Sequence, residues 1–139
     1  MIVTREEVRQ KVAERVEQLA GSWVGYPLSI EYDNKLLNQS AQSDPYLAIK
    51  MIYMDGGQID LGANPGHRAI GTLIVEAWDK VGNGKSASNR LLQHFYPHLH
   101  MTDSLSPLRL RAARFSTSAI RNGWVAEASI VPFWYDSIP

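Results

Sequence analysis

Asn122-Gly123 sits between two long apolar segments, and no other dipeptide in the chain restricts the fold as tightly. Both residues tolerate the positive φ of a type I′ turn, the two-residue loop whose twist matches that of paired strands. The arms it joins are 107–121 and 124–135. In the first, Leu108 and Leu110 alternate with Arg109 and Arg111, after which Ala112-Ala113 puts Arg114 out of step, so a bulge is expected there. In the second, Trp124, Phe133, Trp134 and Tyr135 fall on both parities. Such a strand must be covered on both faces, by a helix on one side and a second subunit on the other.

The remaining chain supplies the helix. Thr4 stands three residues before Glu7, the spacing of a capping box, and Val8, Val12, Val16 and Leu19 then recur at helical intervals until Gly21 supplies the stop. Residues 27–32 read as a short strand and 33–45 as a long exposed loop. Tyr46 to Met54 alternates as a strand, Asp55-Gly56-Gly57 turns the chain, Gly62 to Gly66 is loop, and a third strand runs from Arg68 to Trp78. A second helix from Ser86 to Tyr96 carries Ala87, Leu91, Leu92 and Phe95 and is closed by Pro97. The expected architecture is α+β, one domain over 1–139. Its order is α-β-β-β-α-β-β, an antiparallel or mixed sheet packed against two helices and ending in a hairpin.

A chain of 139 residues with 45% apolar residues can bury a core without staples. The absence of cysteine excludes disulfides, thiolate metal sites and cysteine nucleophiles. Fourteen Lys plus Arg against fourteen Asp plus Glu remove the long-range field of a sequence-independent nucleic-acid or membrane-surface binder. No apolar run is long enough to span a bilayer and the first residues turn acidic at once, so a soluble, cytosolic protein is expected.

Chemistry-bearing motifs are weak. Gly84-Lys85-Ser86 has the tail of a phosphate loop, but Asp79 stands where the first glycine should be, and the segment reads as a turn with Ser86 near a helix N-cap. His94, His98 and His100 have a first spacing that metals use, yet Pro97 breaks the helix between them. They read as histidines at a helix end. There is no Gly-x-Ser-x-Gly elbow, and Asp55, Asp60 and Asp79 lie at strand ends or turns, where Asp is common for its own hydrogen bonding. No catalytic residue, cofactor or metal is assigned. Arg109, Arg111, Arg114 and Arg121 gather on one arm of the hairpin. They either guard an edge strand or contact acids of a neighbouring copy, with Glu6, Glu7, Glu14 and Glu17 of the first helix as the candidate surface for Arg109, Arg111 and Arg114. Two polar stretches, one with Asp33, Asn34 and Asp44 and one with Asp55, Gln58, Asn64 and His67, are expected to be docking loops that order on assembly.

Taken in order, these segments resemble the tail terminator proteins of long-tailed phages, the lambda-type minor tail protein U group. The resemblance is carried by the opening helix from Thr4 to Ala20, the segment Tyr26 to Asn34, and Arg68-Ala69-Ile70-Gly71-Thr72-Leu73-Ile74-Val75-Glu76 as central strand. Gly82-Asn83-Gly84 leading into a helix that ends in Phe95, and Trp124 before Ile130-Val131-Pro132-Phe133, complete it. It implies a structural virion protein without cofactor that forms a homohexameric ring at the head-proximal end of the tail. Such a ring stops polymerisation of the tail tube protein, meets a head-completion or neck protein, and lets genome DNA pass without sequence-specific binding. The alternatives are a neck or head-completion connector, or a small nucleic-acid-binding α/β module.

Overall fold

The computed structural model describes residues 3–33, 37, 39–58 and 66–137. Among them the elements are α1 (Arg5–Gly21), β1 (Ile30–Tyr32), β2 (Tyr46–Gln58), β3 (His67–Lys80), α2 (Ser86–Phe95), β4 (Arg109–Leu110), β5 (Arg114–Arg121) and β6 (Trp124–Ser137), with 3₁₀ turns at Gln39–Ala41 and Tyr96–His98. The strands make one mixed sheet in the order β1-β2-β3-β6, with β4 and β5 both beside β6 on its far side. All pairs are antiparallel except β1 with β2. The α+β fold is that expected, and so is the helix–strand order, except that the first hairpin arm is split into β4 and β5.

Alternation decides which residues meet the helices. Directly opposed residues of an antiparallel pair point to one face, so Met51↔Leu73 and Leu73↔Val131 set three apolar side chains in a row. These odd-numbered positions, with Leu47, Ile49, Val75 and Phe133, form the floor of the main core. Helix α1 lays Val8, Val12 and Val16 on it, and α2 adds Leu91, Leu92 and Phe95. The Thr4 hydroxyl accepts from the Glu7 N–H at 3.2 Å, as the capping-box spacing foretells. The other end differs from expectation: Gly21 is the last helical residue, and Ser22 caps the helix, its hydroxyl donating to the Leu19 carbonyl at 2.8 Å.

The 33–45 stretch is not a free loop. Parallel neighbours cannot be joined by a tight turn, so between β1 and β2 the chain must travel back along the strand direction. Leu37 packs against Tyr46, Ala48, Trp78, Trp124 and Ala126, a second small core on the even-numbered face. The Leu37 N–H donates to Glu31 Oε2 at 3.0 Å, and Gln39 Nε2 donates to the buried Tyr46 hydroxyl at 2.9 Å. Tyr46 stacks on Trp78 with centroids 6.3 Å apart.

Two further departures have local causes. Asp55-Gly56-Gly57 does not turn the chain; β2 continues to Gln58 through a bulge between Met54 and Gly57, and Gly57 and Gln58 face Arg68 and His67. A Cβ on Gly56 would collide with the Arg68 carbonyl, so this glycine serves a close backbone approach. The first hairpin arm is cut more deeply than a bulge. Residues 111–113 leave the ladder between β4 and β5, and the Arg111 N–H donates to the Pro132 carbonyl at 2.9 Å. The turn itself is as expected, with Asn122 at φ 53° and Gly123 at φ 81°.

Gly71 lies under the edge contact of Tyr53 with Phe133, whose centroids are 5.6 Å apart. A methyl group there would run into the Ile52 carbonyl and the Phe133 ring. Gly71→Ala should therefore cost about 1–3 kcal/mol, seen as a lower urea midpoint at unchanged m-value.

Candidate functional site

Among the described residues the even-numbered face is covered by the crossover at the Tyr46–Trp78–Trp124 end, and its other half is open. Ile52 and Met54 are 51% and 58% exposed, Pro132 is exposed, and Ile70, Ile74, Ile130 and Trp134 are half-buried. A basin of about 490 Å³ is lined by Met54, Arg68, Ile70, Thr72, Arg111, Pro132 and Trp134. Trp134 is its centre: the Arg68 and Arg109 guanidiniums lie 4.1 and 5.2 Å from its ring centroid, a geometry in which each cation meets the negative face of the π system. Arg68 is held by both oxygens of Asp136, at 2.7 and 2.9 Å, and Arg109 by Asp103 at 3.2 Å. Arg111 and Arg114 are exposed and make no ion pair among the described residues.

The zero net charge conceals a division across the sheet. By strand parity, this face carries Lys50, Arg68, Lys80, Arg109, Arg114 and Arg121, joined by Arg111 at the basin, against Glu31, Glu76 and Asp136. On the helix side α1 is balanced, with Glu6, Glu7, Glu14 and Glu17 against Arg5, Arg9, Lys11 and Arg15. At roughly 100° per residue, Glu6, Glu7, Glu14 and Glu17 point away from the Val8–Val12–Val16 stripe, while Arg5, Arg9 and Arg15 flank it. Arg5 lies over the Tyr53 ring at 4.6 Å, and Arg15 reaches the Ser104 hydroxyl at 3.2 Å.

The acids and arginines expected to meet thus stand on opposite faces and cannot meet within one copy. Several are already engaged: Glu6 binds Arg9 at 2.6 Å, Arg109 binds Asp103, and Glu17 accepts from the Tyr32 hydroxyl at 2.7 Å. Burial, and then the hydrogen bond to Glu17, raise the Tyr32 pKa. Glu7 and Glu14 are exposed.

Of the expected docking residues, Asp33 accepts from the Met51 N–H at 3.0 Å and Asp44 is exposed just before β2. Asp55, Gln58 and His67 stand in paired strands, not in a loop, because the bulge carries the ladder past the glycines. Asn34 and Asn64 lie outside the described residues. The histidines go separate ways. His94 Nε2 lies 2.7 Å from the Leu19 carbonyl and 3.1 Å from the Ser22 hydroxyl, while His100 Nδ1 accepts from the Ala113 N–H at 3.4 Å. The Asp79 carboxylate accepts from the Lys80 N–H and the Asn83 amide, closing the turn after β3. Lys85, not Ser86, is the N-cap of α2, and its ammonium is 3.1 Å from Glu127. The Arg68–Trp134–Arg109 arrangement escaped the sequence reading; the alternation Pro132-x-Trp134-x-Asp136 was its only trace.

No family model matches the chain, and no curated protein matches it. A solved chain shares this fold. It is 12% identical, superposes with a TM-score of 0.70, and the match covers 99% of each chain. At that identity the likeness concerns the fold alone.

The hydrogen bonds from Arg68 hold the Asp136 carboxyl below its ordinary pKa. A depressed carboxyl pKa stabilises the fold above the unfolded value, about 4, and that contribution is lost as the pH falls through the folded value. Asp136→Asn should therefore cost on the order of 0.5–1 kcal/mol near neutral pH, the pair being partly exposed. The difference from the parent should vanish in the acid limb of a stability–pH profile measured by urea unfolding.

Proposed function

We propose that this chain is a non-catalytic assembly protein of a long-tailed phage, which closes into a homohexameric ring and caps the tail tube. The ring ends tube polymerisation and presents the surface on which the neck or head-completion protein joins. The protein belongs, on this reading, to the head-proximal end of the tail in the virion and to the host cytoplasm during assembly.

The observation that carries the reading is the division of chemistry across one sheet. Each copy has a side sealed by the two helices and an open side with a basic, apolar surface. A sheet with one sealed and one open side suits a closed ring of head-to-tail copies, in which the helices turn outward and the open faces turn toward the axis. The open face, with its excess of Lys and Arg, suits the wall of a passage for DNA: guanidinium and ammonium groups neutralise phosphates without reading bases. The segments that carry the resemblance supply these parts, since α1 helps seal one side and 68–76 and 130–133 make much of the open face.

Light scattering coupled to size exclusion tests this, with and without a cognate tail-tube protein. The expected result is a particle near six times 15.6 kDa, free or formed on the tube, together with shorter tubes as the protein is added in electron micrographs. A monomer under both conditions, with tube length unchanged, refutes the proposal.

A further inference from the structure

We infer that copies of this chain join edge to edge, β5 of one adding as an antiparallel strand to the open edge of β2 in the next. This rests on the ring reading above and names its contact. β2 is flanked on both sides only as far as Ile49, where β1 stops; from Lys50 to Gln58 it has β3 alone beside it among the described residues. An open row of N–H and C=O groups invites another strand, and single-chain proteins blunt it with lysine, proline or a covering segment. Here Ile52 and Met54 lie along it, each more than half exposed. The one lysine, Lys50, is turned to Glu76 at 2.8 Å. At the first N–H past β1, that of Met51, a carboxylate oxygen of Asp33 takes the place of a strand carbonyl.

The other edge of the sheet is complementary. β5 has β6 as its only strand neighbour among the described residues. By parity its helix side carries Phe115 and Ile120, 53% and 74% exposed. The helix side of the β2 edge holds two hollows on either side of Tyr53. One of about 250 Å³ between α1 and β2 is lined by Val12, Ile49 and Met51, and one of about 700 Å³ by Gly56, Ala69 and Tyr135. Edge-to-edge addition brings the exposed apolar side chains of one copy to the hollows of the next on the same side of the sheet. The directions also agree. Three antiparallel steps separate β2 from β5 within a copy, and rotation about an axis along the strands preserves that opposition between copies. The contact of α1 with a neighbour's open face does less, because it sets Glu7, Glu14 and Glu17 against isoleucines and desolvates carboxylates on aliphatic surface.

The chain has no cysteine, so introduced thiols report contacts cleanly. Ser116→Cys is combined with Met54→Cys or with Ile52→Cys; Arg111→Cys with Glu14→Cys reports the helix-on-face contact instead. Each is oxidised in the assembled state, with tail-tube protein present, and run on denaturing gels. A covalent ladder up to six copies is expected from a Ser116 pair and none from the Arg111–Glu14 pair. Ile120→Asp, at an exposed site, should keep the monomer's melting temperature and lower the assembled fraction at least tenfold. If the ring forms but neither Ser116 pair links, or Ile120→Asp assembles like the parent, the edge contact is overturned and the ring reading stands. If the parent does not assemble with or without tube protein, both fall.

Discussion

The pairing of β3 with β6 is the constraint on which the rest of this structure depends. The two longest strands run opposite each other from His67↔Ser137 to Lys80↔Trp124 without a register shift. Because side chains alternate with period two, this single register decides that Leu73, Val75, Val131 and Phe133 meet the helices and that Ile70, Ile74, Ile130 and Trp134 do not. A slip of one residue would turn one strand over relative to the other, placing either Arg68 and Glu76 or Trp134 and Asp136 under α1 and α2. No rearrangement of the helices could repair that.

From this pairing the two sides acquire separate chemistries. One is sealed by aliphatic packing from α1 and α2. The other is shared between the aromatic cluster under the crossover and the basin around Trp134. The arginines there serve twice: Arg68 and Arg109 cover the indole and also confer the positive charge of the face. Sequence arithmetic returns zero for such a chain, since it counts carboxylates that lie off this face together with the cations on it.

Much of this was legible in the residues alone. The valine stripe of α1, the Asn122-Gly123 turn and the alternation of β2 and β3 are local patterns, and local physics suffices for them. What escaped depended on partners far away in the chain. Nothing within 27–32 reveals that its neighbour is parallel, and so nothing within 33–45 reveals a packed crossover with Leu37 half-buried and Gln39 buried. Asp55-Gly56-Gly57 has the composition of a turn, but the ladder with Arg68 and His67 overrides it. The candidate interface was read as a set of charges without a side, because the face on which each charge falls follows from register, and register is a property of two strands together.

The strand at the centre of the sheet is also the last of the described strands to be made. β6 lies between β3 and the short β4 and β5, and its Ser137 hydroxyl accepts from the Val3 N–H, 134 positions away. During synthesis α1 and β3 must therefore wait, with Leu73 and Val75 lacking their opposite wall, until β6 has emerged. Contacts of such long range close late and slowly, and a chain held open in this way exposes a sticky edge to its sisters on the same messenger. On the ring reading proposed above, the order of synthesis sets a timing problem: association must follow the arrival of β6, or the wrong partner will occupy its place.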